Sequence, residues 1–217
     1  MRDELEKVKT GGSGAETVAV VYEPELTLGL PRGETVGTAM NALAHSAEAL
    51  YVEGRNAGGD AEALAGANLI ARWLPGTVAR PDDLEARTGL LRGAMHAGKA
   101  FGLTGLALAH ALAQALGRAL RTSARRDERA HAAANGFNEL VVPGAVEQLG
   151  QALGSDHPLT RVQELAGLGG FERLRDFDVP ERELPLVAAD TAARAGAAAN
   201  PRPVSSDDAL SLLRSIW

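Results

Sequence analysis

The sequence predicts an all-α protein, a multi-helix bundle preceded by a short N-terminal extended segment. From residue 33 to the C-terminus, apolar residues recur at helical spacing. Strand and helix patterns do not alternate repeatedly, so we expect neither a parallel sheet nor a dinucleotide-binding domain within these residues. The expected organisation is an extended or linker segment over 1–32 and one helical domain over 33–217.

The composition restricts the function classes. Of the 217 residues, 45% are hydrophobic and only 4% are aromatic, so the core must be built mainly from Ala, Leu and Val. The net charge of −6 argues against non-specific binding to nucleic acid or to an anionic membrane. No cysteine is present, which excludes disulfides and thiolate metal sites. No apolar run approaches the roughly 20 residues of a membrane span, and the charged first ten residues do not resemble a secretory signal. We therefore expect a cytoplasmic protein.

The N-terminal segment combines glycines with a β-branched run. GGSG occupies 11–14, and the run 17–22 predicts a short strand before the prolines at 24 and 31. A phosphate-binding glycine loop follows a strand and opens a helix, whereas these glycines precede the strand. A flexible connection is therefore the favoured interpretation of GGSG.

The helices expected from periodicity end near prolines and begin near acidic or hydroxyl residues. Asp83 lies near a helix start, where the helix dipole favours acids, and Ser205 with Asp208 resembles a capping box. The predicted helices are 33–52, 59–74, 82–93, 95–119, 128–149, 158–168, 170–176, 180–195 and 205–216.

Three pairs of polar residues lie four positions apart within alanine-rich helices. They are Asn41/His45, His110/Gln114 and His131/Asn135. Residues at i and i+4 share one helix face, so three converging helices could gather the pairs into one cluster. Such a cluster could hold Fe, Zn or Ni, or could transfer protons.

The ordinary alternative is that each of these histidines is a core or partly exposed residue. His96 and His157 lack a polar partner at i+4, and we interpret both as structural or surface residues.

Six ordered segments resemble one family. They are VVYEPELTLGLP (20–31), GTAMNALAHSAEALY (37–51), ARPDDLEAR (79–87), GLALAHALAQALG (105–117), HAAAN (131–135) and NPRPVSSDDALSLL (200–213). Together they resemble the C-terminal, dehydroquinate-synthase-like helical half of the iron-containing alcohol dehydrogenases. The closer similarity is to the maleylacetate reductase branch.

The resemblance implies a site and its residues. Complete members of the family place a nicotinamide-binding domain before the helical domain, with the active site in the cleft between them. The family's metal is held by one Asp and three His, which fall here on Asn41, His45, His110 and His131. A further family histidine near the cofactor falls on Gln114. The implied catalytic residues are His45, His110 and Gln114.

The departures from the family pattern limit what is implied. Asn41 removes an anion that would offset a divalent cation, so zinc or iron would bind more weakly. Gln114 cannot titrate and so cannot replace a histidine in proton transfer. NAD(P) is expected only if a partner polypeptide supplies the nucleotide domain.

Three functions stay open at this point. The first is the substrate- and metal-binding component of an oxidoreductase that acts on a small molecule with a partner chain. The second is a repurposed cofactor-free lyase, isomerase or cyclase that uses the histidines. The third is a non-catalytic partner or scaffold subunit, in which formerly covered apolar faces favour a partner or a homo-oligomer.

Overall fold

The computed structural model describes residues 19–120, 134, 136–170, 173–177 and 179–217. The α-helices within these ranges are α1 Arg32–Ala49, α2 Ala57–Ala79, α3 Leu84–Thr104, α4 Leu108–Leu120, α5 Pro143–Leu153, α6 Pro158–Gly167, α7 Leu184–Ala192, α8 Ala195–Ala198 and α9 Ser206–Ser215. Short 3-10 helices cover Pro24–Thr27, Leu174–Phe177 and Glu181–Glu183. The prediction of an all-α fold is confirmed.

The predicted strand over 17–22 does not form in its described part. Residues 19–23 have no regular secondary structure, and Val21 is exposed. A strand needs a neighbour to satisfy its backbone groups, and the described ranges contain none. The GGSG segment lies outside the described residues.

The helix caps follow the sequence signals. Ser205 accepts from the Asp208 backbone N–H while the Asp208 side chain accepts from the Ser205 backbone, so the predicted capping box of α9 is confirmed. Asp83 accepts from the backbone N–H of Ala86 and caps α3.

Several predicted helix boundaries are wrong. The helix expected over 128–149 is interrupted at residues 139–142, and α5 runs from Pro143 to Leu153. The helix expected over 170–176 forms in its described part only the 3-10 helix Leu174–Phe177. Helix α2 was expected to end at residue 74, yet it continues through Pro75 to Ala79. The break expected between residues 93 and 95 is also misplaced, because α3 continues to Thr104 and ends at Gly105. Gly105 has φ of 96°, a left-handed conformation that glycine adopts without strain.

Helix α1 lies between two hydrophobic cores. Met40 and Leu43 belong to a core formed with α2, α3, α5 and α6. Ala44 belongs to a second core formed chiefly by α4, α7 and α9. Polar residues of α1 that face the junction between these cores are therefore buried beside α4.

None of the described helices is by itself long and apolar enough to span a bilayer. Only α3 and the first part of α4 taken together satisfy the length and composition requirements, and these two helices are bent by 103°.

Candidate functional site

Helix α1 contributes three polar residues to one side of the site. Asn41, His45 and Glu48 follow one another at intervals of four and three residues, which places them along one helix face. Asn41 and His45 are half-buried, whereas Glu48 is 0% exposed. The face therefore leads from partly accessible polar groups to a fully buried carboxylate.

Asn41 and His45 are in direct contact. The Asn41 Nδ2 lies 3.3 Å from the His45 Nε2, so the amide donates to this nitrogen when it carries no proton. Of the three i,i+4 pairs, this is the pair whose two members contact each other within the described residues.

Three aromatic rings form a stack around His45. The His45 ring lies 4.2 Å from the His110 ring and 5.0 Å from the Phe101 ring, measured between centroids, with interplanar angles of 23° and 28°. Phe101 is 40% exposed and His110 is 6% exposed, so the stack runs from the surface to the interior. Two of the predicted site histidines thus lie together, although they are 65 residues apart in sequence.

Glu48 connects α1 to the beginning of α4. Its Oε2 accepts a hydrogen bond of 2.6 Å from His110 Nδ1 and one of 2.9 Å from the Ala107 backbone N–H. Its Oε1 accepts from the backbone N–H groups of Ala109 at 2.6 Å and His110 at 3.3 Å. Glu48 is not among the residues predicted from the sequence, although an acid within an alanine-rich, apolar stretch of helix is a usable signal.

Gln114 lies one turn beyond His110 on α4, about 6 Å along the helix axis. It does not share the partner of His110, because its Oε1 accepts from Arg194 Nη1 at 3.1 Å. Arg194 also pairs with Asp190 at 2.7 Å, and Arg118 approaches the same carboxylate at 3.8 Å. Two guanidinium groups therefore share one carboxylate, which leaves one surplus positive charge beside Gln114.

Tyr51 lies three residues after Glu48, just beyond the end of α1. Burial raises the pKa of the Tyr51 phenol well above its ordinary value, the negative charge of Glu48 raises it further, and a hydrogen bond with Asn138 acts in the opposite direction. The phenol therefore stays neutral at physiological pH.

The remaining histidines lie elsewhere. His96 Nδ1 pairs with Glu62 Oε2 at 2.6 Å on a part-exposed surface of α2 and α3, and His157 is exposed beside the start of α6. His131 and Asn135 lie outside the described residues, so the predicted fourth ligand and the third pair stay predictions.

The side chains at this site determine whether the expected metal ion could bind. Among the described residues, no group of three or more His, Cys, Asp or Glu side chains converges as a metal site. His45 and His110 are ligands of a kind that zinc prefers, whereas Asn41 offers only a neutral amide, so the described residues supply two of the three or four His, Cys, Asp or Glu ligands usual for zinc. The described residues alone therefore do not make a complete iron or zinc site.

Comparison with known proteins gives consistent matches. A family described as "Fe-containing alcohol dehydrogenase family, C-terminal" matches residues 35–217. The chain is 34% identical to the maleylacetate reductase of Sphingobium indicum over 212 residues, which cover 95% of this chain and 59% of that protein. It is 35% identical to maleylacetate reductase 1 of Rhodococcus opacus over 200 residues, which cover 91% and 56% of the two chains.

Solved structures show the same helical architecture. The maleylacetate reductase of Rhizobium sp. strain MTP-10005 superposes with a TM-score of 0.80 at 31% identity, over 90% of this chain and 56% of that one. The iron-containing alcohol dehydrogenase of Corynebacterium glutamicum gives a TM-score of 0.83 at 27% identity, over 90% and 55%. The chain thus spans rather less than three-fifths of the length of these solved relatives.

Proposed function

The chain belongs to the iron-containing alcohol dehydrogenase family, and from this membership we propose that it supplies the helical half of the active site of an oxidoreductase resembling maleylacetate reductase. The observation that carries the proposal is the stacked pair of His45 and His110, 4.2 Å apart, flanked by Asn41 and Glu48. The substrate in this proposal is maleylacetate or a similar small carboxylic acid.

The chemistry divides between these residues and a nucleotide-binding domain. NAD(P)H, when bound, supplies the hydride. The imidazoles of His45 and His110 transfer to the substrate the proton that must accompany the hydride in a reduction. Since no dinucleotide-binding pattern occurs in these 217 residues, the nucleotide domain comes from outside them, and we propose a partner polypeptide as its source.

The charge near Gln114 supports an acidic substrate. The surplus positive charge of Arg194 and Arg118 over Asp190 lies about one helical turn from His110. A guanidinium group binds carboxylates well because its planar array of donors matches two oxygens. We assign Arg194 as the group that attracts a carboxylate of the substrate.

The exposed apolar residues beside the stack support a covering domain. Phe101 is 40% exposed and Leu103 is 52% exposed, both near the end of α3. Their burial by a nucleotide domain would also exclude water from the imidazole pair.

A chimera tests the proposal. The chain is joined to the nucleotide-binding part of the Sphingobium indicum relative, and consumption of NADH with maleylacetate is followed. We expect turnover that falls roughly 100-fold or more in His110→Ala and His45→Ala, the usual range for loss of a group that transfers protons. His96→Ala is the matched control, since His96 is also a carboxylate-paired histidine but lies on the surface away from the stack. Full activity in both site variants of an active chimera would refute the assignment.

A cofactor-free lyase, isomerase or cyclase is the second candidate. It needs two imidazoles within reach of the same substrate, and the stacking of His45 on His110 supports it. The 217-residue chain would then convert a substrate without nucleotide, and the reaction would be lost in His110→Ala. A folded chain that is inactive in both assays would exclude both catalytic functions, and the non-catalytic scaffold function would remain.

A further inference from the structure

Glu48 is a buried carboxylate to which the proposed function assigns no role. It is 0% exposed, and its four hydrogen-bond partners are all N–H donors on α4 or immediately before it. Both carboxylate oxygens therefore act only as acceptors. Three of the donors are backbone groups, and the fourth is the ring nitrogen Nδ1 of His110.

The three backbone contacts make Glu48 a cap for α4. The first N–H groups of a helix have no partner within the helix, and a negative charge there is favoured by the helix dipole. Other caps in the protein do the same task without a histidine. Asp83 at α3 and Asn56 at α2 each accept from a backbone N–H three residues later. A cap alone does not require the fourth contact.

The contact with His110 Nδ1 determines the state of the ring. A neutral imidazole carries one proton, and an acceptor on Nδ1 holds that proton on Nδ1. The other nitrogen, Nε2, is then the acceptor of the ring. The same carboxylate also binds the backbone N–H of His110, so the backbone and the side chain of this residue are fixed together.

We propose that Glu48 is a positioning residue that holds His110 in the Nδ1–H tautomer and in one orientation, so that Nε2 presents a lone pair at the site. In its neutral form His110 is thereby prepared to take up at Nε2 the proton that the proposed reduction passes to the substrate, or to bind a cation there. The use made of that lone pair rests on the proposed function, whereas the tautomer itself can be measured without any catalysis.

The substitution Glu48→Gln reverses the contact with His110 while it keeps two of the three cap contacts, because only the Ala107 backbone N–H shares Oε2 with His110. Glutamine has nearly the same shape but offers one acceptor oxygen and one donor amide. The two backbone donors at Oε1 cannot change, so the glutamine oxygen is expected to stay with them. The amide N–H₂ then faces His110 Nδ1, which must become an acceptor, and the ring proton moves to Nε2.

The experiment is nitrogen-15 NMR of the histidine rings in the full 217-residue chain. Spectra are recorded near pH 9, well above the ordinary histidine pKa of about 6.5. The His110 ring is assigned by its loss in His110→Asn. In the wild-type chain we expect Nδ1 to resonate as the protonated nitrogen and Nε2 as the unprotonated one. In Glu48→Gln we expect the two shifts to exchange.

Two controls make the result specific. Glu62→Gln alters the matched pair with His96, which has the same 2.6 Å contact at a part-exposed surface, and it should leave His110 unchanged. Asp83→Ala removes a helix cap that has no histidine, and it should also leave the His110 tautomer unchanged.

The wild-type spectrum decides the proposal even if Glu48→Gln fails to fold. A His110 ring protonated on Nε2, or on both nitrogens, would overturn it. A folded Glu48→Gln chain that keeps the Nδ1–H tautomer would show that Glu48 acts as a cap only.

Discussion

Helices α2 and α3 pack closely at Gly93, and a single methyl group added there should destabilise the protein. A Cβ at position 93 would lie 2.8 Å from Ile70 Cγ1, 3.1 Å from the Ile70 backbone nitrogen and 3.2 Å from Leu69 Cβ. Ile70 is 0% exposed, so it has no open space into which to move. The same helix contains Gly98, where no atom lies within 4 Å of an added Cβ.

The magnitude follows from two opposing effects. Alanine stabilises a helix interior by about 1 kcal/mol relative to glycine, and this gain applies at both positions. Overpacking a filled core costs about 1–3 kcal/mol, and the backbone contact at Gly93 argues for the upper part of that range. Gly93→Ala should therefore lower the free energy of unfolding by about 1–2 kcal/mol. Gly98→Ala should raise it by up to about 1 kcal/mol.

Urea unfolding followed by far-ultraviolet circular dichroism measures both variants. We expect their free energies of unfolding to differ by about 2–3 kcal/mol, while the slope of that free energy against urea concentration is the same in both variants. Equal stabilities of Gly93→Ala and Gly98→Ala would refute the close approach of α2 and α3. Because α3 also carries Phe101, a shift of this helix in Gly93→Ala should weaken the contact between Phe101 and His45.

Three further predictions concern charge. Asp208→Ala should lower the free energy of unfolding by up to about 1 kcal/mol at neutral pH, because it removes the carboxylate half of the α9 capping box and leaves Ser205 as the N-cap. Hydrogen bonds from Ser205 hold the pKa of Asp208 below its ordinary value of 3.8. The stabilisation is therefore present above that pH and is lost as the pH falls through the folded-state pKa. Measuring the free energy of unfolding of the wild-type chain and the variant at a series of acidic pH values would show this loss. The raised pKa of Tyr51 has the opposite pH dependence: its contribution to stability is complete below the ordinary pKa of 10.0 and is lost as the pH rises above it. The alkaline decline of the free energy of unfolding should therefore be smaller in Tyr51→Phe. An equal decline would contradict the burial of this phenol. Arg194→Gln in the active chimera should raise the KM for the acidic substrate about 10- to 100-fold, since a hydrogen bond to a charged group is worth about 1.5–3 kcal/mol. An unchanged KM in a variant of wild-type stability would exclude Arg194 from substrate binding.

Local signals in the sequence determined most helices and one pair in the site. Asn41 and His45 are four residues apart on one helix, so their contact depends only on helix geometry. The capping box of Ser205 and Asp208 likewise involves groups three residues apart. Such features are readable from sequence because the chain itself holds the partners within one turn.

Helix boundaries were less predictable where packing opposed the local signal. Proline removes one backbone hydrogen bond and tends to end a helix, yet α2 continues through Pro75 because its buried face, including Leu74 and Thr77, packs on both sides of the proline. The end of α3 at Gly105 depends on a left-handed backbone conformation that many other glycines in this chain do not adopt.

The sequence by itself determined the family, the all-α fold and the candidate histidines. Only the tertiary structure decided that His45 and His110 stack, that Phe101 covers them, and that Glu48 binds His110 from 62 residues away. The physical reason is that helical periodicity shows which face of a helix is buried but not which helix will meet it. The hydrogen bonds to the Glu48 carboxylate come from residues 59 to 62 positions away in sequence, and its role exists only because α1 packs against the first turn of α4.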